Sequence, residues 1–347
     1  MDIRKIQLTG GSTYIVSLPK PWVRKKGLNV GDPIRVDEQP DGALILRGGM
    51  DSHKNARETE FLVKDANPDH LTRELIGLYL AGFSQIDIKM TPQLDAKVRS
   101  AVRHFTQQVI GPEIVDESRT NIVLLDLLDP VDFPMRSGLK RIYSIVRAMH
   151  EDVLSTLTDP NTDLQKNVIE RDNEVNRIFW LINKQFNLMM LDSSYTAKMN
   201  TTLEQGMSHF IAARIFERIG DHSRKIADHL MDMEGVKIPS DMAAQLEKMG
   251  DQSIKILDSS VESFFNQKCS RAHDTVDMVG KLEKTRMRFL EQLREKRSPM
   301  GADLALISES IYRIGSYATD ISETAINSIS SSILVNQSGM KNNGDRK

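Results

Sequence analysis

Three carboxylates are spaced so that they fall on one face of a helix. Glu217, Asp221 and Asp228 are four and seven residues apart, which places them within about 40° of one another on an ideal helix. Oxygen ligands in this arrangement can coordinate a hard divalent cation, iron or manganese. The apolar residues of the segment recur on the opposite side, so the acids can equally form a solvated helix face. The spacing alone favours that second interpretation.

A further acidic run lies earlier in the chain, at residues 170–177. Glu170 and Glu174 share one helix face, and Asp172 and Asn176 share another. Arginines at both ends of the run can pair with these acids. Such ion pairs, worth roughly a few tenths of a kcal/mol each, explain the pattern without a ligand.

The third group with recognisable chemistry is basic and lies near the N-terminus. Residues 1–31 hold six lysines and arginines against one aspartate, a net charge of +5. Such cations could neutralise nucleic-acid phosphates, which would give affinity and a dependence on salt. The alternative is that the run at 24–26 only keeps a dimerisation module soluble. The candidate DNA-binding residues are Arg4, Lys5, Lys20, Arg24, Lys25 and Lys26.

The rest of the chain does not share this basic character. The 347 residues carry 46 lysines and arginines against 48 acids, a net charge of −2, which excludes a globally basic nucleic-acid coat. The single Cys269 excludes an internal disulfide and a four-cysteine zinc site. No apolar run approaches the roughly 20 residues that span a bilayer, and residues 1–20 lack a signal-peptide core. We therefore expect a cytoplasmic protein without membrane insertion.

The elements that must position these groups begin with two small domains. Residues 1–51 alternate in short apolar runs separated by glycine-containing turns, which predicts β-strands and a helical turn opened by Pro21. Residues 52–132 predict an α/β domain with strands at 60–64, 84–90, 113–116 and 121–127 and helices at 69–82 and 92–108. This middle part contains no catalytic or phosphate-binding motif, so its role stays open.

From residue 137 onward the periodicity is helical. Six helices are predicted, at 137–159, 164–191, 200–234, 241–267, 271–297 and 302–330. The motif FERIGDH at 216–222 recurs as IYRIGSY at 311–317, each time in the third helix of a group of three. This repeat predicts two three-helix bundles, at 137–235 and 240–330, and the paired glycines Gly220 and Gly315 indicate close helix packing. Residues 331–347, polar and rich in Asn and Gly, are expected to be a disordered tail.

Three motifs follow one another in the helical half: ERDNEVNRIF at 170–179, ERIGDH at 217–222 and RIGSYATDISE at 313–323. With the duplication, they resemble the PhoU family over residues 137–330. The resemblance implies twin three-helix bundles that bind metal clusters through (Glu or Asp)-x-x-x-Asp pairs, and a phosphate ABC transporter or signalling proteins as partners. It assigns Asp172, Glu217 and Asp221 to a divalent-metal or iron site.

The match to this metal pattern is incomplete. Asn176 stands where the family has a second aspartate, and an amide is a poorer, neutral oxygen ligand. In the second repeat Tyr312 and Ser316 replace the acidic pair outright, with Asp320 and Glu323 nearby. Two full metal clusters are therefore not expected.

The run GGSTYIVSLPKPWVRKKGLNVGD at 10–32 carries a second resemblance. It is similar to the AbrB/SpoVT type of swapped-hairpin DNA-binding domain, in the archaeal form found ahead of PhoU-like helices. The resemblance implies a homodimer in which two chains interlace short strands into a barrel and present basic residues to DNA.

These inferences predict a multidomain α+β fold, with an N-terminal swapped-hairpin β-barrel, a small α/β middle domain and C-terminal tandem three-helix bundles. The function we expect is a dimeric regulator of phosphate uptake that binds promoter DNA and is not an enzyme. The alternative is an adaptor that negatively regulates a phosphate transporter or its signalling partner without binding DNA. A metal-dependent hydrolase acting through Glu217 and Asp221 is disfavoured, because no nucleophile or general base is placed beside those acids.

Overall fold

A computed structural model describes residues 3–38, 44–48, 57–233, 236–296 and 299–344. The chain divides into two compact units, Met1–Arg57 and Glu58–Lys347, which are described separately. The multidomain α+β class is confirmed: small antiparallel strands come first, a mixed sheet follows, and the remainder is helical.

The first unit is built from short hairpins and one short helix. β1 (Gln7–Thr9) pairs with β2 (Thr13–Ile15) across a turn in which Gly10 and Gly11 have φ of 60° and 78°, a region that favours glycine. The helix α1 (Lys20–Lys25) has a proline in its first turn, as predicted. β3 (Ile34–Glu38) pairs with β4 (Leu44–Gly48). Within the described residues of this unit the strands remain two separate pairs and do not close a barrel.

The second unit begins with a four-stranded sheet that has two helices on one face. Its strands are β5 (Glu58–Leu62), β6 (Gln85–Lys89), β7 (Pro112–Glu117) and β8 (Asn121–Asp126), in the order β5-β6-β8-β7. β5 and β6 are parallel because α2 (Pro68–Leu80) connects them, and the other pairs are antiparallel. The helix α3 (Ala96–Gln108) starts four residues later than predicted, because the side chain of Asp95 caps it by accepting from the Lys97 N–H at 2.8 Å.

The helical part contains the six predicted long helices. A 3-10 turn (Pro130–Asp132) precedes the first repeat, which consists of α4 (Met135–Ser155), α5 (Thr162–Leu191) and α7 (Leu203–Asp232). The short helix α6 (Ser194–Lys198) lies between α5 and α7, where a break was predicted. The second repeat consists of α8 (Ser240–Asn266), α9 (Cys269–Lys296) and α10 (Gly301–Gly344). The buried apolar residues of both repeats form one continuous core.

Equivalent helices of the two repeats face each other. The rings of His222 on α7 and Tyr317 on α10, which hold the same place in the repeated motif, have centroids 5.6 Å apart. Between α4 and α8, Asp258 accepts hydrogen bonds from the Tyr143 hydroxyl at 2.7 Å and from Arg147 Nε at 2.9 Å. The duplication therefore builds a pseudo-symmetric interface from the first and third helices of each repeat.

The predicted end of the last helix is wrong. The helix α10 continues to Gly344, across most of the segment expected to be a disordered tail, while residues 345–347 lie outside the described part. No glycine or proline occurs between Gly315 and Gly339, so the sequence contains no strong helix terminator where the tail was expected to begin.

The sheet domain is attached to the first repeat through α5. The Lys184 ammonium on α5 forms an ion pair with Asp126 at the end of β8, and the two side chains are 4% and 5% exposed. The same ammonium lies 4.5 Å from the centroid of the Tyr79 ring. Nearby, Asn187 donates to the Leu80 carbonyl at 3.2 Å. A buried charge pair at a domain contact therefore fixes where the sheet domain packs.

We predict that Lys184→Met lowers the free energy of unfolding by about 3–5 kcal/mol, because it leaves the Asp126 carboxylate buried without its counter-ion. Urea denaturation measures the change. The matched control is Lys89→Met, which removes an ion pair with Glu60 whose side chains are 42% and 60% exposed. That variant should change stability by less than about 1 kcal/mol. Equal small effects of the two variants would contradict the role given to the buried pair.

Candidate functional sites

The six candidate DNA-binding residues of the first unit are all exposed. Lys20, Arg24 and Lys25 lie on α1, and Lys26 follows as its C-cap with its N–H donating to the Trp22 carbonyl at 3.0 Å. Arg4, in the segment before β1, donates to the Ser17 hydroxyl at 3.3 Å. Within the described residues, Lys20 and the run at 24–26 form no ion pair, so their charges are available to an anionic partner.

The described residues of the first unit do not form a hydrophobic core. Among residues 3–36, 44–48 and 57, not one side chain is buried. Large apolar residues on or next to its strands are exposed: Ile6 is 71% exposed, Leu8 58% and Tyr14 74%. Contiguous exposed apolar residues in a small unit are typical of an interaction surface.

The three acids assigned to a metal site come together between α5 and α7. Asp172 on α5 faces Gly220 on α7, where an added Cβ would lie 3.5 Å from Asp172 Oδ1. Glu217 and Asp221 flank that glycine on the same face of α7. The Asp172 side chain is only 1% exposed. Its Oδ2 accepts from Arg224 Nη1 and Asn176 Nδ2, both at 3.2 Å, while its buried Oδ1 has no hydrogen-bond partner.

These carboxylates (Asp172, Glu217 and Asp221), called here the carboxylate trio, act as one electrostatic group. Burial, followed by the charge of Asp221, raises the pKa of Asp172 above its ordinary value. Burial and the neighbouring charge of Asp221 also raise the pKa of Glu217, with Asp172 contributing further. Burial raises the pKa of Asp221 as well, although four nearby cations oppose it. Burial is thus the largest cause of all three pKa shifts, and the neighbouring cations offset part of it.

The interpretation of these acids as a solvated helix face is wrong for Glu217, whose side chain is 16% exposed. The spacing within α7 does not indicate that α5 packs beside that face. Asp228 behaves differently: its side chain is 48% exposed and its Oδ2 lies 3.8 Å from Arg224 Nε. The apolar stripe predicted on the other side of α7 is confirmed by the burial of Ile215, Ile219 and Ile226.

The carboxylate trio has the donor chemistry of a site for one hard cation but not the convergent geometry. All three donors are carboxylates, and the buried, unpartnered Oδ1 of Asp172 is an acceptor that a cation would satisfy. As the side chains stand, no three His, Cys, Asp or Glu residues of the described chain converge closely enough to hold a metal ion. Arg224, paired with Asp172 at 3.2 Å, supplies part of the positive charge.

The middle domain adds no chemical site among its described residues. Asp65 accepts from His70 Nδ1 at 2.9 Å, and the Asn67 side chain caps α2. These groups terminate a helix, as expected from their position at its start. The buried pair of Lys184 and Asp126 could not be predicted from the sequence, since the residues around each of them do not distinguish a buried charge from a surface charge.

No helix in the described part of the chain is long and apolar enough to cross a membrane.

Comparison with known proteins gives two family matches. Residues 139–230 and 246–325 match the model of the PhoU domain. Residues 7–48 match the model of the antidote-toxin recognition MazE, bacterial antitoxin.

Individual proteins agree with the first of these matches. The chain is 24% identical over 206 residues to the phosphate-specific transport system accessory protein PhoU homolog 1 of Thermotoga maritima, covering 55% of this chain and 84% of that protein. Its fold is similar to the crystal structure of PhoU from Pseudomonas aeruginosa, with a TM-score of 0.51 and 19% identity over 57% of this chain and 96% of that one.

The two motif glycines yield a prediction about helix packing. A Cβ on Gly315 would lie 2.5 Å from Leu282 Cδ2, whereas at Gly220 the nearest atom would be Val146 Cγ1 at 3.4 Å. We expect Gly315→Ala to destabilise the protein by roughly 1–3 kcal/mol through overpacking. Gly220→Ala should be neutral or stabilising by up to about 1 kcal/mol, because alanine is the better helix former. Urea denaturation compares the two, and a larger loss for Gly220→Ala would contradict the packing argument.

Proposed function

Since this chain is a PhoU-family protein with an N-terminal domain of the swapped-hairpin type, we propose that it is a dimeric, DNA-binding regulator of phosphate uptake. The observation that carries the proposal is the surface of the first unit, which combines exposed cations with apolar strands that have no core. The apolar residues favour a protein partner, and the cations favour an anionic one.

The apolar half supports a homodimer. A unit of 57 residues whose described side chains are all at least partly exposed lacks the main favourable term of folding. A second copy offers the same exposed strands, so each chain covers the other through one self-complementary surface. Interlaced hairpins would thereby supply the core that one chain does not have.

The basic half supports DNA as the second partner. Lys20, Arg24, Lys25 and Lys26 surround one short helix, so a dimer presents two such clusters to a duplex. Contacts of this kind bind phosphates and position the protein without reading sequence. With about four to six phosphate contacts per half-site, binding would weaken steeply as salt rises, with a slope near −0.9 per contact. The protein would act in the cytoplasm, where promoter DNA lies.

A second candidate function is an adaptor that does not bind DNA. It is favoured by the name of the Thermotoga maritima relative, an accessory protein of a phosphate-specific transport system. In that case the first unit only dimerises, and the helical part negatively regulates a phosphate transporter or its signalling partner. Replacing the basic residues at 24–26 distinguishes the two functions, because only the DNA-binding function requires them.

We predict that replacing Arg24, Lys25 and Lys26 by alanine weakens binding to promoter DNA of phosphate-transport genes by at least about tenfold at low salt. The slope of log affinity against log salt should become shallower by about 0.9 for each phosphate that the variant no longer neutralises. Fluorescence anisotropy at two salt concentrations measures both quantities, and light scattering checks that the variant remains a dimer.

The matched control removes three exposed cations from α9, at Lys281, Lys284 and Arg288. This variant has the same reduction in positive charge and should bind DNA like the wild type. Unaltered binding by the variant at 24–26, or equal weakening in both variants, would contradict the DNA interface and leave the adaptor function.

We further propose that the carboxylate trio binds one divalent cation or iron, and that this binding biases the conformation on which DNA affinity depends. Asp172, Glu217 and Asp221 would hold the ion, whose charge would relieve their mutual repulsion. A ligand shifts such an equilibrium only by its preference for one of the two states. Packing of α5 against α7 is the local geometry that the ion would favour.

The corresponding prediction concerns thermal stability. Mn²⁺ at about 100 times its Kd should stabilise the wild type by about 2.7 kcal/mol, and Asp172→Asn should abolish that effect. The asparagine keeps the size of the side chain and removes a carboxylate whose pKa is raised by burial, so the variant should fold. Asp228→Asn, which changes an acid that is 48% exposed, is the control and should retain the response. An identical Mn²⁺ effect in all three proteins would overturn this site.

A further inference from the structure

One edge of the four-stranded sheet in the middle domain is open. β5 lies at that edge and pairs with β6, in a register without interruption. The Val63 N–H, just after β5, donates to the Lys89 carbonyl of β6 at 2.8 Å. Because backbone groups alternate sides along a strand, those of Glu58, Glu60 and Leu62 point away from β6. In the described part of the chain, no backbone group pairs with these three residues.

The opposite edge of the sheet is protected against further pairing. β7 has a bulge at Val115, whose side chain is 51% exposed. Charged residues follow the bulge, and Glu117 among them pairs with Arg103 of α3 at 3.2 Å. Bulges of this kind discourage another strand from joining a sheet. β5 has no bulge, and its Leu62 is 52% exposed, so addition of a strand is favoured at β5.

The side chains along this open edge belong to an acidic face of the sheet. The buried Ile86 and Ile88 of β6 belong to the core formed with α2 and α3, so the alternate residues of the strands lie on the other face. Among the described residues, Lys89 on that face pairs with Glu60 at 2.5 Å, and the remaining acids of the face form no ion pair. The acids of this face are Glu58, Glu60, Asp87, Glu113 and Asp116.

The charge of β5 determines which strand can pair with it. A second copy of β5 is disfavoured, because antiparallel pairing of two such strands sets Glu58 and Glu60 against acids of the other copy. A strand with a cation at every second residue instead forms a favourable cross-strand pair with each of these acids. In the antiparallel direction, an apolar residue two positions before the first cation would lie opposite Leu62.

We propose that the edge of β5 binds an extended basic segment of a partner protein, which adds a further strand antiparallel to β5. Backbone hydrogen bonds to Glu58, Glu60 and Leu62 provide affinity, and the alternating cations provide specificity. Antiparallel pairing is the more stable of the two directions per residue. The middle domain is then a peptide-binding module whose ligand is distinct from DNA and from a metal ion.

The first test uses a fluorescein-labelled peptide that is two residues longer than β5. It has valine at its second position, lysine at its fourth and sixth, and threonine elsewhere; a second peptide has glutamate in place of both lysines. The full-length protein should bind the lysine peptide at least about tenfold more tightly, because two cross-strand pairs change from attractive to repulsive in the glutamate peptide. Fluorescence anisotropy measures both affinities.

The matched variant reverses the charge of the edge. Glu58→Lys combined with Glu60→Lys should invert the preference, so that the glutamate peptide binds more tightly than the lysine peptide. Equal binding of the two peptides to the wild type, no binding of either, or an unchanged preference in the double variant would overturn the proposal.

The second test distinguishes strand addition from attraction to an acidic face. Glu60→Pro removes an N–H that points away from β6, whereas Glu60→Thr removes the same carboxylate and keeps that N–H. The proline variant should bind the lysine peptide at least about tenfold more weakly than the threonine variant. In the wild type the lysine peptide should also slow amide hydrogen exchange within residues 58–62, a measurement that needs no variant.

Two results of the second test would contradict the proposal. Equal affinity of the two variants, with exchange in residues 58–62 unchanged by the peptide, would mean that the peptide binds by charge alone. Dissociation of the protein into monomers as the peptide binds, measured by light scattering, would assign the edge of β5 to a second copy of the chain.

Discussion

The burial of two charged side chains on α5 is the constraint on which the second unit depends. Lys184 and Asp172 lie on one helix, 12 residues apart, and both are almost fully withdrawn from water. A buried charge is tolerated only when partners compensate it, so each dictates what must pack beside α5. Lys184 pairs with the Asp126 carboxylate of the sheet domain, and Asp172 pairs with Arg224 of α7. One helix thereby joins the sheet domain to the carboxylate trio.

Much of this architecture could be predicted from the sequence, because helix and strand periodicity depend on local spacing. The six long helices, the duplication and the strands of the sheet follow from such patterns. The environment of Glu217 could not be predicted, since its exposure depends on the part of α5 around Asp172, 45 residues earlier in the chain. The pairing of Lys184 with Asp126 is equally non-local. Residue types and motifs in the sequence indicate the candidate site, whereas the burial of its side chains depends on how α5 and α7 pack in the fold.

The first unit illustrates a different limit. Its strands and turns were predicted with small shifts at their ends, yet the folded unit leaves Ile6, Leu8 and Tyr14 exposed. A strand pattern indicates which face is apolar and says nothing about whether the same chain covers it. The apolar surface therefore bears on stability, because the described side chains of this unit bury no core and leave its strands open to a covering surface.

Duplication gives the two repeats the same fold but does not oblige them to keep the same charges. Packing constrains the positions around Gly220 and Gly315, because a larger residue at the latter would collide with Leu282. Charge at the neighbouring positions is free to change provided that each repeat remains compensated. In the first repeat Arg224 pairs with Asp172 and Arg214 lies 4.0 Å from Glu217, whereas in the second Arg286 pairs with Glu309. Each repeat therefore sets guanidinium groups against its own acids, so two helix pairs of the same fold reach charge compensation with different residues.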